Sequence, residues 1–446
     1  MNRKVMKRSV AWTVALCLLI VPFAYASEPA VACRVTLDRE ALPAGTYQTA
    51  VIKVSLEAPE APREEERPQV NLALVIDRSG SMSGAKIAKA REAAIEALRR
   101  LSPRDVFSVV VYDHAVQTLV PAQRAENTVW IEQQIRAIRP GGNTALFGAV
   151  SQGAAEVRKH LGRGYVHRVI LLSDGLANVG PSSPQDLGRL GAALLKEGIS
   201  VSTVGVGVDF NEDLMARLAE KSDGNHYFVE SSIDLPRIFA AELGDVLSVV
   251  AHRVKIEIEC PEGVRPLRII GREGRIRGNR VEIGMNQLYG SQEKYALVEV
   301  EVPAGRPDEK IELAAVNCAY ENTLNNRQEQ SQAVARARYT ASVAEVKKSA
   351  SKDVYRAVVE NEIAETRDKA LDLYNTGRRD EAAEELKQKS EVLQRQAEEV
   401  GLGAVAAPAA ALQAEADEFM DEDLSSGRKK EIRSESFKVR TQQKNY

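Results

Sequence analysis

The residues best suited to chemistry are Asp77-Arg78-Ser79-Gly80-Ser81-Met82-Ser83-Gly84, a Ser/Gly-rich loop that follows directly on the apolar run 71–77. Its glycines do not form a phosphate cradle. A Walker-type loop needs four residues between its glycines and a lysine directly after the second; Gly80 and Gly84 enclose three, and Ala85 precedes Lys86. The dinucleotide pattern GxGxxG is absent as well. A nucleophile elbow requires Gly-x-Ser-x-Gly, and the middle position between Gly80 and Gly84 is Met82. A dehalogenase-like phosphotransfer loop would need a second aspartate where Ser79 stands. Of the five histidines only His114 falls at a strand's carboxyl end, with no serine to pair it, so covalent catalysis lacks its base. What the loop does offer is oxygen at alternate positions: one carboxylate, Asp77, and two hydroxyls, Ser79 and Ser81. Hard divalent cations take such ligands, and Mg²⁺ takes few carboxylates while keeping open positions for water or an incoming oxygen. Two further loops qualify to complete the shell, Gly141-Gly142-Asn143-Thr144 and Ser173-Asp174-Gly175. The competing reading is structural: Asp77, Asp174 and Thr144 as caps of the helices that follow them.

The elements that must hold these loops are legible around them. Short apolar runs at 71–77, 106–112, 166–172 and 200–206 alternate with helix-period stretches at 85–101, 129–138, 145–161, 211–220 and 234–246, and a short strand falls at 226–229. Continuously apolar strands between helices predict a mostly parallel sheet covered on both faces, in a doubly wound α/β domain over 71–248. In such sheets ligands bind outside the carboxyl ends of the strands, where the topology switches.

Asp77-Arg78-Ser79-Gly80-Ser81, then Thr144, then Asp174-Gly175, in this order and context, resemble a von Willebrand factor A domain. The later stretches 200–207 (SVSTVGVG) and 224–228 (GNHYF) are similar to the closing strands of its bacterial members. The resemblance implies that Asp77, Ser79, Ser81, Thr144 and Asp174 form a metal-ion-dependent adhesion site. In that site Ser79 and Ser81 bind the ion directly, Thr144 binds directly or through water, and Asp77 and Asp174 act mainly through water. The ion expected is Mg²⁺, with Mn²⁺ or Ca²⁺ as alternatives. The implied partner is a protein ligand whose Asp or Glu completes the coordination, and no enzymatic step is implied. An accessory or scaffold subunit of an envelope enzyme, transporter or secretion complex is the alternative. The layout as a whole is similar to exported bacterial proteins of this kind and to inter-alpha-trypsin-inhibitor heavy chains.

Around that domain, residues 1–26 carry a basic head, an apolar run over 10–23 and Ala24-Tyr25-Ala26 before Ser27, which predicts a cleaved signal peptide. The apolar run is shorter than the ~20 residues of a membrane span. A periplasmic, secreted or cell-surface protein without a transmembrane segment is expected. The formal net charge is −3 and becomes more negative without the basic head, which disfavours nucleic acid as a partner. Residues 27–70 read as N-terminal β strands and a linker, and 249–325 as a small antiparallel β domain. The strands of 33–56 are expected to join that domain, so that the α/β unit is inserted in, or flanked by, a β-sandwich. Residues 330–402 read as a C-terminal helical hairpin broken at Gly377, and 403–446 as a disordered tail. Three cysteines remain past the signal; Cys260 and Cys318 lie on alternating runs and can pair, or all three are small core residues.

Overall fold

The computed structural model describes residues 30–162, 164–177, 179–400, 406–420 and 424–443; the expected signal segment therefore lies outside the described residues. Three strands open the chain, β1 (Ala32–Leu37), β2 (Ala41–Pro43) and β3 (Gln48–Glu57). The α/β unit follows: β4 (Gln69–Asp77), α1 (Ala85–Arg99), β5 (Val106–Tyr112), β6 (Val116–Arg124), α2 (Thr128–Arg136), α3 (Leu146–Arg158), β7 (Tyr165–Ser173), α4 (Pro184–Lys196), β8 (Ile199–Val206), α5 (Glu212–Ser222), β9 (His226–Val229) and α6 (Leu235–Leu247). Its strands line up in the order β6-β5-β4-β7-β8-β9. All pairs are parallel except β5 with β6. β5, β7 and β8 are buried along nearly their whole length, as a sheet covered on both faces requires. Helix α1 shows how the cover is made: Ile87, Ala90, Ala94 and Leu98 recur at helical spacing and are all buried.

β6 has no counterpart in the sequence reading. Its exposed and half-buried residues and its Pro121 hide the strand pattern, and both are tolerated because it is an edge strand with only one neighbour.

The chain then adds β10 (Val249–Glu259), β11 (Arg265–Ile270), β12 (Arg275–Arg277), β13 (Arg280–Tyr289), β14 (Glu293–Val302), β15 (Lys310–Asn322) and β16 (Arg327–Thr340). The N-terminal strands do join this part. β1-β3-β14-β11 form one sheet and β12-β13-β10-β15-β16-β2 the other. Ile52, Val54 and Leu56 of β3 share one core with Ile256 and Ile258 of β10 and Val316 and Cys318 of β15, so the two sheets pack face to face. The α/β unit is therefore an insertion between β3 and β10. Both of its stems are tied to the turn between β13 and β14: Ala58 N–H bonds to Gln292 O at 2.9 Å, Ser291 N–H to Pro59 O at 2.7 Å, and Gly290 N–H to Ser248 O at 2.8 Å. Gly290 has to be glycine there, since a Cβ would lie 2.5 Å from the Cα of Ala61.

β16 corrects the expectation of a helix from 330 onward. Its Ala-, Gln- and Arg-rich sequence favours helix, but twelve residue pairs with β15 override the propensity, and Ala335, Ala337 and Tyr339 turn inward at period two.

The helical region comprises α7 (Val343–Lys348), α8 (Lys352–Asn375), α9 (Arg379–Val400), α10 (Ala406–Met420) and α11 (Ser426–Thr441). Helix α8 lies on the outer face of the four-stranded sheet, where Lys53 bonds Asp353 at 2.7 Å and Asn361 bonds the Tyr295 hydroxyl at 3.0 Å. Gly377, at φ +80°, ends α8 as expected.

The disordered tail expected over 403–446 is instead largely helical in its described residues. Its charges have partners rather than water: Arg433 pairs with Asp213, Asp368 and Asp372, and Lys430 with Glu212. Phe419, Ile432 and Phe437 are buried beneath them. Composition alone does not reveal complementary charge on distant helices.

Helix α11 also covers β9, the edge strand. His226 is fully buried, its backbone N–H bonded to Gln443 Oε1 at 3.0 Å, its Nδ1 2.9 Å from Thr203 Oγ1 and its ring edge-on to Phe437. Burial first, and then the cations Lys438, Arg433 and Lys430, push its pKa down to about 3. The unfolded chain protonates this side chain near pH 6.5. Stability is therefore expected to fall as pH drops through 6.5 toward 3, because the unfolded state then binds a proton that the folded state refuses. The contribution from this residue is about 2–3 kcal/mol between pH 6.5 and 4.5. Urea midpoints at the two pH values, compared with His226→Gln, check it: the variant should show the shallower loss.

Candidate functional site

β4 delivers Asp77, fully buried, to its carboxyl end. The chain turns there because Asp77 Oδ1 accepts the Ser79 N–H at 2.8 Å, a local aspartate turn. The short 3₁₀ turn Gly80–Met82 then buries Met82 beneath the loop. Ser79 Oγ and Ser81 Oγ are brought within 3.0 Å of each other. From the next strand, β7, Ser173 donates its hydroxyl to Asp77 Oδ2 at 2.8 Å, and the buried Asp174 accepts from Ser81 Oγ at 2.7 Å. The third loop is latched to the first by Gly80 N–H to Gly142 O at 3.1 Å and Gly141 N–H to Arg78 O at 2.7 Å. Gly142, at φ +75°, makes that approach possible: a Cβ there would sit 2.3 Å from His114 Nδ1.

Thr144 closes the ring. A Cβ added to Gly175 would lie 3.4 Å from Thr144 Oγ1 and 3.5 Å from Ser81 Oγ, in van der Waals contact with both, so the two hydroxyls from different loops border one space beside Gly175. All five expected residues, Asp77, Ser79, Ser81, Thr144 and Asp174, thus converge outside the carboxyl ends of β4 and β7. That is where the sheet order reverses direction, with β5 on one side of β4 and β7 on the other. Asp77, Ser79, Thr144 and Asp174 are buried, and Ser81 stands exposed at the mouth.

Burial dominates the electrostatics of the site. Burial above all, with Asp174 as a lesser cause, pushes the Asp77 carboxyl up to about 6, against the pull of its bonds from Ser79 and Ser173. Asp174 is met by Lys86 Nζ at 2.6 Å. Among the described residues there is no group of three or more His, Cys, Asp or Glu side chains disposed to hold a metal. The donor set is instead two carboxylates and three hydroxyls, all oxygen, which fits a hard dication that retains water or exogenous oxygens. The site serines bond one another, Asp77 and Asp174, while His114 leans on Asp113 at 3.3 Å.

Two participants escaped the sequence reading. Ser173 immediately precedes Asp174 and orients Asp77. Lys86 carried a signal of its own, because it sits in the first turn of α1, a turn with no acidic residue, where the helix dipole disfavours a cation. Its place is explained by the carboxylate it reaches.

The family model described as von Willebrand factor type A domain matches residues 71–241, the span of the doubly wound sheet and its switch point. Domains of this family often bind a divalent metal at this position and mediate protein–protein contacts. The chain is 27% identical over 231 residues to an uncharacterized protein of Escherichia coli, covering 51% of this chain and 40% of that protein. It is 34% identical over 163 residues to human inter-alpha-trypsin inhibitor heavy chain H4, covering 34% of this chain and 17% of that protein. The matches thus span less than half the length of these relatives. A solved von Willebrand factor type A protein from Catenulispora acidiphila shares the fold at TM-score 0.67 and 18% identity, over 84% of this chain and 89% of that one. The ArnB paralog VWA2 from Sulfolobus acidocaldarius does so at 0.62 and 18%, over 92% and 98%. The shared architecture therefore extends beyond the A domain into the sandwich and helices.

No helix among the described residues is long and apolar enough to cross a membrane.

Proposed function

We propose that this chain is an exported, non-enzymatic binding module, for adhesion or assembly, that grips an aspartate or glutamate of a protein ligand through Mg²⁺, or Mn²⁺ or Ca²⁺ in its place. One observation carries the reading: two buried carboxylates and three hydroxyls from three loops face a single mouth. When bound, the ion supplies an electrophilic open position for the ligand's carboxylate. The residues of this chain do the rest. Ser79, Ser81 and Thr144 present oxygens, and Ser173 and the Ser79 amide hold Asp77 in orientation. Exposed Leu176 and Val208 beside it add apolar contact for the residues flanking the acid.

A crosslinked pull-down from native envelope extract, in Mg²⁺ or in EDTA and with wild type or Asp77→Ala, tests this. A partner held only by wild type in Mg²⁺, through an acidic residue found by crosslink mapping, is the expected result. A partner retained equally under all four conditions refutes the metal-bridged mechanism.

Lys86 makes a further expectation specific to this chain. Its ammonium already neutralises Asp174, so an arriving dication has to displace or tolerate it. Lys86→Met is expected to raise Mg²⁺ affinity about tenfold, equivalent to ~1.4 kcal/mol, in titration calorimetry, with Lys86→Arg close to wild type.

A further inference from the structure

We infer that Cys33 and Cys318 are a disulfide-forming pair that staples the two sheets of the β-sandwich together. Cys33 lies on β1 of the four-stranded sheet, paired with Leu56. Cys318 lies on β15, inside the six-stranded sheet, between Ile256 and Ser331. Their sulfurs are 2.8 Å apart across the core that the two sheets share.

The approach is fixed by its neighbours. Two residues before Cys33, the Val31 N–H bonds the hydroxyl of Tyr320, two residues after Cys318, at 2.8 Å; Glu329 accepts from that hydroxyl at 2.6 Å and from the Ala30 N–H at 3.0 Å. Positions 31 and 33 of one strand thus lie against 320 and 318 of the other, so register and facing are set before any bond forms. Cys260, on which a pairing with Cys318 was open from sequence alone, is buried elsewhere in the same core, with burial pushing its thiol up to about 11.

The two thiols differ in a way that orders the chemistry. Cys33 is half-buried and Cys318 wholly buried. The contact between the two sulfurs pulls the Cys33 thiol down and pushes the Cys318 thiol up. Cys33 is therefore the thiolate that attacks an external disulfide, such as oxidised glutathione or the disulfide of a thiol oxidase, expelling one thiolate and leaving a mixed disulfide. Cys318 then attacks the Cys33 sulfur, and its proton leaves with the second expelled thiol. Two protein thiols are oxidised and one external disulfide is reduced to two thiols. The ring so closed encloses the whole A domain, and β1, an edge strand otherwise held by β3, becomes covalently part of the opposite sheet. This staple is independent of the metal reading.

The test is a peptide map of the full chain, equilibrated with oxidised and reduced glutathione, quenched with N-ethylmaleimide and unfolded. The expected result is one crosslinked peptide pair joining Cys33 to Cys318, with Cys260 as the alkylated thiol, and a thermal midpoint that falls on reduction with dithiothreitol. Cys33→Ser and Cys318→Ser should each abolish that fall, and Cys260→Ser should keep it. Alkylation of Cys33, Cys260 and Cys318 alike after oxidation, or a crosslink that includes Cys260, would overturn the inference, and the wild-type map decides the matter even where a variant folds poorly.

Discussion

Asp77→Ala is expected to reduce Mg²⁺ and Mn²⁺ affinity by about 100-fold, the upper end of what loss of a group that orients metal ligands costs. The residue does two things at once. Its oxygens fix the Ser79 amide and the Ser173 hydroxyl, and its charge attracts the ion. Alanine removes both. Fold stability should respond differently. A buried carboxyl raised to about 6, against about 3.9 unfolded, makes ionisation unfavourable in the folded state. The resulting stability is present below pH ~4 and is lost as pH rises through ~6. At neutral pH without metal, Asp77 is thus a burden, so the variant should melt within a few degrees of wild type in EDTA. What it should lose is the rise in melting temperature that millimolar Mg²⁺ gives to wild type, since a ligand stabilises only the state that binds it. Calorimetric titration together with melting curves in Mg²⁺ and EDTA separates the two effects. A variant that still gains stability from Mg²⁺ would place the ion elsewhere.

Arg168→Met should cost about 3–5 kcal/mol, the usual penalty for removing one partner of a buried ion pair. Arg168 on β7 and Glu242 on α6 are both fully buried, 3.3 Å apart. The guanidinium also bonds Ser202 at 2.8 Å and, on β13 of the sandwich, Gln287 and the Tyr289 hydroxyl. One side chain therefore holds the A domain to its neighbour, and its loss leaves Glu242 with only Ser202, Asn225 and Tyr227 as donors. Thermal unfolding and limited proteolysis within 58–68 measure the consequence. Adding Glu242→Gln should recover much of the loss, because the uncompensated charge is then gone. A single variant as stable as wild type would show that packing, not the ion pair, holds the domains together.

The A domain and its donor ring were readable because their signals are local. A buried parallel strand is a continuous apolar run, and Asp77, Ser79 and Ser81 occupy alternate positions of one loop. Thr144 and Asp174 stood on candidate strand-end loops, and the resemblance to a von Willebrand factor A domain singled them out. The joining of 33–56 to the later β domain was legible, but most other features that depend on pairing between distant segments were not. Strand β6 is half solvated and interrupted by Pro121. Residues 327–340 carry helix-forming composition and become a strand through β15. The charged tail looked solvated because the acids it meets, Asp213, Asp368 and Asp372, lie far away in sequence. Cys33 had no distinguishing mark until its strand was placed opposite β15.

The two stems of the A domain meet at one turn, and that arrangement has a mechanical side. A load applied at the mouth of the α/β unit would reach the inbound and outbound chains together, and both are bonded to residues 290–292. That turn joins β13 of the six-stranded sheet to β14 of the four-stranded one. Because the stems also continue into β3 of one sheet and β10 of the other, neither of them an edge strand, such a load would be shared by both layers of the sandwich instead of peeling an edge strand from either.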